Sequence, residues 1–307
     1  MSNKNFDSCV SFHINGGAFM GRLVRLDNVL QEILGKHCYP LNVSAALAET
    51  AALSVLLSSS LKYDGLFTLQ IQGNGPVSLL VSDVTSKGQI RACARFDEEK
   101  LQAAKKLRKT EDIIESVPHL VGGGHMAFTI DQGKDTDLYQ GIVDLQGKNL
   151  TELALRYFKQ SEQIDTALKL FVKHPEGESL SWQAAGIILQ KIPLHGGKTP
   201  TDNQEELNLV WSDAQAFIAS LSENEVFDDS LSSAEILNRL FHANDLHING
   251  EKTYTFGCRC NREKLQKTLS GFSAEDLDSM TENGKITATC NFCSEKYVFD
   301  KGELLNH

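Results

Sequence analysis

The sequence predicts an α+β protein in three parts: an N-terminal mixed sheet-and-helix domain over 1–194, a helical linker over 195–255, and a small C-terminal zinc-binding domain over 256–307. Three observations predict it. Leu66-Phe67-Thr68-Leu69-Gln70-Ile71-Gln72 alternates apolar and polar residues, turns at Gly73-Asn74-Gly75 and returns at Val77–Val81, which is an antiparallel hairpin and not a βαβ unit. Leu207, Val210, Trp211, Ala214, Phe217, Ile218 and Leu221 recur at three- and four-residue steps, the apolar stripe of a helix. Cys258 and Cys260, then Cys290 and Cys293, lie in a last segment too short to build much of a core alone.

Taken in order, Val10–Ile14 and Gly21–Leu26 read as strands on either side of Gly16-Gly17. Asp27–Leu34 reads as a short helix, and Pro40 punctuates before a long helix at Val43–Leu61. That stretch is the most apolar in the chain. Glu49, Thr50 and Ser58-Ser59-Ser60 within it argue for a buried core helix and against a membrane span. Further strands are expected at Gln89–Phe96, His125–Asp131, Tyr139–Val143, Leu168–Val172 and Gly186–Ile192, with Asn149 and Glu152 as a capping box for a helix through Tyr157.

His195-Gly196-Gly197-Lys198-Thr199-Pro200 is a cluster of helix and strand breakers and marks the expected boundary. Beyond it the signal is helix alone as far as about Thr255, with a second capping box at Ser232 and Glu235 ahead of Ile236, Leu237, Leu240 and Phe241. This linker is expected to make few contacts and to be an element of low stability. In the last part Arg262–Leu269 reads as a helix and Ser273 caps another over Ala274–Glu282. Asn283-Gly284 then turns into a strand at Lys285–Thr289, with Tyr297, Val298 and Phe299 ready to pair with it.

Among 307 residues, 41% are hydrophobic and 23% charged, the balance of a soluble protein with a real core. A formal charge of −10 argues against a general nucleic-acid binder, which must neutralise phosphates. Met1 to Asn15 has no basic start followed by an apolar run, so no signal peptide is expected. Together with an odd number of cysteines, seven, this favours a reducing, cytoplasmic setting over a disulfide framework. Cys9, Cys38 and Cys93 sit among apolar neighbours and read as inert small hydrophobes.

Four thiolates suit Zn2+ and close a tetrahedral shell with no position left for substrate, although an iron–sulfur cluster takes the same ligands. A structural zinc site of this kind contributes on the order of 10–16 kcal/mol to folding. Zinc-bound sulfurs are held as thiolates, the reactive form, so the site reads either as a static staple or as a redox sensor. Arg259, Arg262 and Lys264 stand close enough in sequence to offset the charge of such a site. Gly73–Pro76 and Val121-Gly122-Gly123-Gly124-His125 lack the lysine and hydroxyl of a phosphate-binding loop and read as hairpin turns. His13, His119 and His125 show no ligand spacing, and no catalytic set is visible, so the chain is not read as an enzyme. A zinc-ribbon module for nucleic acid would need a basic face, and a metalloenzyme would need an open coordination position.

Several motifs in order resemble the 33 kDa chaperonin family, the redox-regulated heat-shock holdases. Gly73-Asn74-Gly75-Pro76 followed by Leu79-Leu80-Val81 is similar to the family's Gly-x-Gly-Pro hairpin. Tyr157-Phe158 with Ser161-Glu162-Gln163, Tyr139-Gln140-Gly141, Arg239-Leu240-Phe241-His242 and the two cysteine pairs extend the likeness over nearly the whole chain. The resemblance implies an ATP-independent chaperone that is quiescent while reduced and bound to one Zn2+ through Cys258, Cys260, Cys290 and Cys293. It implies that oxidation with mild unfolding stress releases zinc and joins Cys258 to Cys260 and Cys290 to Cys293. A disulfide across Cys258 and Cys260 closes a very small ring, so it should be strained and readily reversed.

The linker would then unfold and hold unfolding client proteins, and the active form would be a homodimer. Trp211, Phe217, Ile218 and Leu221 are the candidate client-binding residues, packed in the resting state and exposed in the active one. No nucleic-acid or membrane partner is implied. Asp165 stands where the family commonly has proline, Ala243-Asn244 stands where it has acidic residues, and the Gly16–Gly21 region is longer and looser than in many relatives.

Overall fold

A computed structural model describes residues 6–108, 114–133, 138–176, 181–192 and 204–305. The chain starts with β1 (Ser8–Ile14) and β2 (Phe19–Leu26), joined by a single tight turn over Asn15–Gly17, then α1 (Asn28–Leu34) and the long α2 (Leu41–Ser59). A meander of β3 (Leu66–Gly73), β4 (Val77–Thr85) and β5 (Gln89–Phe96) leads to α3 (Glu98–Arg108) and α4 (Val117–Val121). Next come β6 (Gly124–Asp131), β7 (Tyr139–Asp144), α5 (Leu150–Tyr157), β8 (Thr166–Lys173) and β9 (Gln183–Lys191). Three helices follow, α6 (Gln204–Ser220), α7 (Glu223–Val226) and α8 (Ser233–Phe241), then two strands, β10 (His247–Thr253) and β11 (Thr255–Phe256). The end of the chain holds α9 (Arg262–Leu269), α10 (Ala274–Ser279), β12 (Lys285–Thr289), β13 (Lys296–Asp300) and α11 (Lys301–Leu305).

Two sheets face each other across α2. One is antiparallel, in the order β10-β1-β2-β9-β8; the other runs β11-β5-β4-β3-β6-β7, antiparallel except where β11 lies parallel to β5. This is the α+β architecture of hairpins that the alternation predicts. α2 is buried nearly all round, and side chains from both sheets join it in one core. By length and composition it alone among the described residues could cross a membrane, yet 89% of its most apolar window is buried inside the fold. Its hydroxyls are satisfied locally: Thr50 donates to the Ala46 carbonyl at 2.7 Å, and Ser54 donates to the Ala51 carbonyl at 2.8 Å while sharing a hydrogen bond with Ser82.

Half-buried Glu49 is the one acid on α2, and burial pushes its carboxyl up from the ordinary 4.5 to about 7. The folded state therefore keeps a proton that the unfolded chain releases, so stability falls as pH rises from 4.5 through about 7. Glu49→Gln removes that cost. The variant is expected to gain on the order of 1–2 kcal/mol over the parent at pH 8 and much less at pH 5, checked by melting both proteins at the two pH values. An equal gain at both would show that the carboxyl is not the cause.

The other face of the five-stranded sheet carries α6, α7 and α8. Phe12, Ile14, Leu23, Ile187 and Leu189 from the sheet meet Leu207, Ile218, Leu221, Leu237 and Phe241 in a second core. Two cations from the strands reach across to bind the helical layer's carbonyls. Arg25, fully buried, donates to Leu231 at 2.6 Å and Asp228 at 2.7 Å. Lys169 Nζ donates to Ala219 at 2.6 Å and Leu221 at 2.8 Å, at the end of α6 where carbonyls lack partners within the helix.

Three expectations need correction. The helical segment does not stand apart with few contacts; its apolar stripe is covered by the sheet. It is also not helix alone to Thr255, because His247–Thr253 is a strand that pairs with β1. The second glycine loop, at Val121–Gly124, joins α4 to β6 and is not a hairpin; Gly122, at φ +74°, makes the turn, and Gly75 N donates to the Val121 carbonyl at 2.6 Å. The boundary expected at His195–Pro200 lies outside the described residues.

Candidate metal centre

The four cysteines come from two turns. Cys258 and Cys260 follow β11, whose parallel pairing with β5 continues as Gly257 N donates to the Ile90 carbonyl at 3.1 Å. Cys290 and Cys293 occupy the turn between β12 and β13. There Cys290 N donates to the Glu295 carbonyl and Ser294 N to the Cys290 carbonyl, both at 2.9 Å, with Ser294 in the left-handed region at φ +57°. The two turns bring the sulfurs together: 3.4 Å from Cys258 to Cys260, 3.6 Å from Cys258 to Cys290 and 3.4 Å from Cys260 to Cys293.

All four Sγ atoms lie within 4.8 Å of one another, and all four residues are half-buried. A tetrahedron with metal–sulfur bonds of about 2.3 Å has edges of about 3.8 Å, so the donor set fits a thiolate-loving ion of zinc's size. The domain around it has a slight core of Leu269, Leu277, Ile286, Phe299 and Leu304, as expected of a fold that leans on a metal.

The surroundings separate the thiols. Burial pushes Cys258 up, but hydrogen bonds from the Cys260 backbone and from the side chains of Cys260, Cys293 and Arg91 outweigh it and bring it to about 7. Burial pushes Cys260 and, much further, Cys293 upward. Tyr297 donates to the Cys260 sulfur at 3.3 Å, and that bond raises the phenol. One thiolate forms readily here, and a second or third at this spacing calls for a bound cation.

The centre is fastened to the N-terminal sheet. Arg91 on β5 donates to Asp83 on β4 at 2.7 Å, reaches the Cys258 sulfur at 3.8 Å, and lies over the Phe292 ring at 3.8 Å. Arg259 joins the same Asp83 carboxylate at 3.0 Å, where that side chain is only 6% exposed. Ser294 Oγ donates to the Lys36 carbonyl at 2.7 Å, and His37 Nε2 is 3.3 Å from the Phe292 carbonyl.

Of the basic residues expected to offset the site's charge, Arg259 pairs with Asp83, Arg262 with Glu303, and Lys264 with the Arg259 carbonyl. Arg91 takes the place beside the sulfur, a residue that no spacing rule could find because it precedes Cys258 by 167 positions. Cys9 and Cys93 are buried, and burial pushes them to about 11 and about 12, so they are unreactive as expected. Cys38 differs: it is exposed.

The candidate client-binding residues divide. Ile218 and Leu221 are buried on the sheet, Trp211 stacks on Phe19 with ring centroids 5.5 Å apart, and Phe217 is 36% exposed and makes a T-shaped contact with Phe241. His13, His119 and His125 lie on β1, α4 and β6, away from the cysteine cluster.

The model of the Hsp33 protein family matches residues 7–300. The chain belongs to the Hsp33 family. The 33 kDa chaperonin of Caulobacter vibrioides is 35% identical over 297 residues, covering 96% of this chain and 95% of its own length. That of Shewanella loihica is 34% identical over 285 residues, covering 92% and 89%. The crystal structure of a 33 kDa chaperonin (heat shock protein 33 homolog) from Thermotoga maritima superposes with a TM-score of 0.75, covering 97% of this chain and 96% of that one. At 22% identity it speaks for the shared fold. Hsp33 relatives are named as chaperonins and not as enzymes, which assigns this chain a chaperone's function.

Proposed function

We propose that this chain is a redox-regulated, ATP-independent holdase, quiescent when reduced and active when oxidised. In the reduced form Cys258, Cys260, Cys290 and Cys293 hold one Zn2+ per chain, which supplies the cross-link that the slight core of the small domain lacks. The observation that carries the reading is the path from sulfur to apolar surface. Cys258 lies two residues past β11, β10 precedes β11, and β10 is the first strand after the docked helices.

Hydrogen peroxide is the natural oxidant class. Each molecule takes two electrons from a thiolate pair and, with two protons from solvent, leaves as two waters, so two molecules would convert the four zinc-bound thiolates into Cys258–Cys260 and Cys290–Cys293 and free the Zn2+. Sulfurs in disulfides no longer serve as thiolate ligands, so the small domain loses its closure, and the hold of Cys258 and Phe292 on Arg91 of the sheet goes with it. Mild heat then releases the helices of 204–241 and exposes Trp211, Phe217, Ile218 and Leu221 to apolar segments of unfolding proteins. The division at about 194 and 255 follows these roles. We place the protein in the cytoplasm, propose that the active form is a homodimer, and propose no nucleic-acid or membrane partner.

The test is light scattering from a thermally unfolding client. The reduced chain is expected to leave aggregation unchanged, and the chain treated with peroxide at mildly raised temperature is expected to suppress it near stoichiometric ratios. An oxidised chain that stays compact and inactive ends the proposal.

A further inference from the structure

A second charged feature lies at the β10 edge of the five-stranded sheet. Cross-strand partners share a face, so Cys9 and Ser11 of β1, Arg22 of β2, and Gly250 and Lys252 of β10 all lie on the α2 side. There the end of α2 and the loop beyond it close around a cavity of about 510 Å³, within the range of small-molecule sites. Its walls carry Arg22, Lys62 and Lys252 against the single acid Glu251, in a chain whose net charge is −10. Ser11, Ser58, Ser59 and Ser86 line it too, their hydroxyls donating to the Gly250, Val55 and Leu56 carbonyls and to the Asp64 carboxylate, and Leu61 and Tyr63 supply a small apolar wall.

The cations lack anionic partners. Among the described residues none of the three forms an ion pair with a carboxylate. Arg22 spends Nε on the Ser59 carbonyl at 3.2 Å and Nη1 on the Gly21 carbonyl at 2.8 Å, which leaves its Nη2 donors; Lys252 Nζ donates to the Ser86 carbonyl at 2.9 Å. Burial depresses both Arg22 and Lys252, the state of cations taken out of water without a counter-ion. Two residues past Lys252 on the same face, Tyr254 is 2% exposed, and its hydroxyl has no hydrogen-bond partner among the described residues. Lys252 Nζ lies 5.4 Å from that ring's centroid.

We infer that this cavity binds a phosphorylated small molecule, with its phosphate between Arg22 and Lys252 and Lys62 at the mouth. A carboxylate has two oxygens, which one guanidinium satisfies; three cations match the larger charge of a phosphate. The ligand touches β1, β2, the end of α2 and β10 at once, so it ties the strand that follows the helical layer to the N-terminal sheet. The site does not depend on the redox reading.

The test is calorimetric titration of the reduced, metal-loaded full chain with adenosine monophosphate and with inorganic pyrophosphate at fixed ionic strength, with adenosine and acetate as controls. Saturable binding of the phosphate compounds, one per chain, is expected, with slower hydrogen exchange of the β10 amides in the bound form. Arg22→Gln is expected to weaken binding at least tenfold. Gly250→Leu is expected to do the same with unchanged circular dichroism and metal content, because a Cβ at Gly250 meets no atom within 4 Å. No saturable binding of either phosphate compound, acetate binding as tightly as the phosphates, or equal affinity in both variants overturns the inference.

Discussion

Replacing Cys290 and Cys293 by serine is expected to abolish tight metal binding and unfold the small domain while leaving the N-terminal sheets intact. Neutral serine hydroxyls do not replace thiolates as ligands for a zinc-like ion, and two remaining sulfurs cannot close a tetrahedron. The free energy at stake is large, on the order of 10–16 kcal/mol for a complete structural site, whereas the domain's own core rests on Leu269, Leu277, Ile286, Phe299 and Leu304. From this domain the N-terminal core around α2 draws only half-buried Phe256, at the end of β11. Competition with a chromophoric chelator reads the affinity, and hydrogen exchange read segment by segment reads the unfolding. Affinity within tenfold of the parent would show that Cys290 and Cys293 are not ligands.

Phe241→Ala is expected to loosen the helical layer and switch on aggregation suppression without any oxidant. Phe241 is fully buried at the end of α8, stacked on Phe12 at 5.5 Å and in a T-shaped contact with Phe217 at 6.3 Å. Truncating a buried phenylalanine costs about 3–5 kcal/mol, enough to matter for a layer held on one face of a sheet. The cysteines are untouched, so metal content should equal that of the parent. Faster exchange across 204–241 together with activity in the reduced state is the expected pair of results. Faster exchange without activity would show that freeing these helices is not what exposes the client surface.

Much of this architecture is legible in the sequence where one local pattern decides the outcome. Gln89–Phe96, Arg262–Leu269 and Lys285–Thr289 fall where alternation, periodicity and turn residues place them. Ser232 caps α8 through Glu235 as the capping box requires. Strand β10 was not legible because its residues are mostly exposed, no apolar alternation marks it, and Asn249-Gly250 reads as a turn; pairing with β1, with a register shift there, makes it a strand. Helices Glu98–Arg108 and Val117–Val121 also escaped, the first because it is mostly charged and the second because it is short and contains Pro118. The docking of the helical layer rests on Arg25 and Lys169, whose carbonyl partners are distant in sequence. At the metal centre the cysteine spacing gave the cluster, and only the fold could bring Arg91 and Asp83 to it.

In the proposed mechanism the thiol cluster controls the helical layer. Metal content and aggregation suppression, followed together on one sample during peroxide treatment at mildly raised temperature, test it most directly. Loss of about one zinc per chain, formation of two disulfides and a rise in activity that follows the metal's departure are expected, all reversed by reductant and zinc. Full activity with the metal still bound, or complete zinc release with the helices of 204–241 as protected as before, would contradict it.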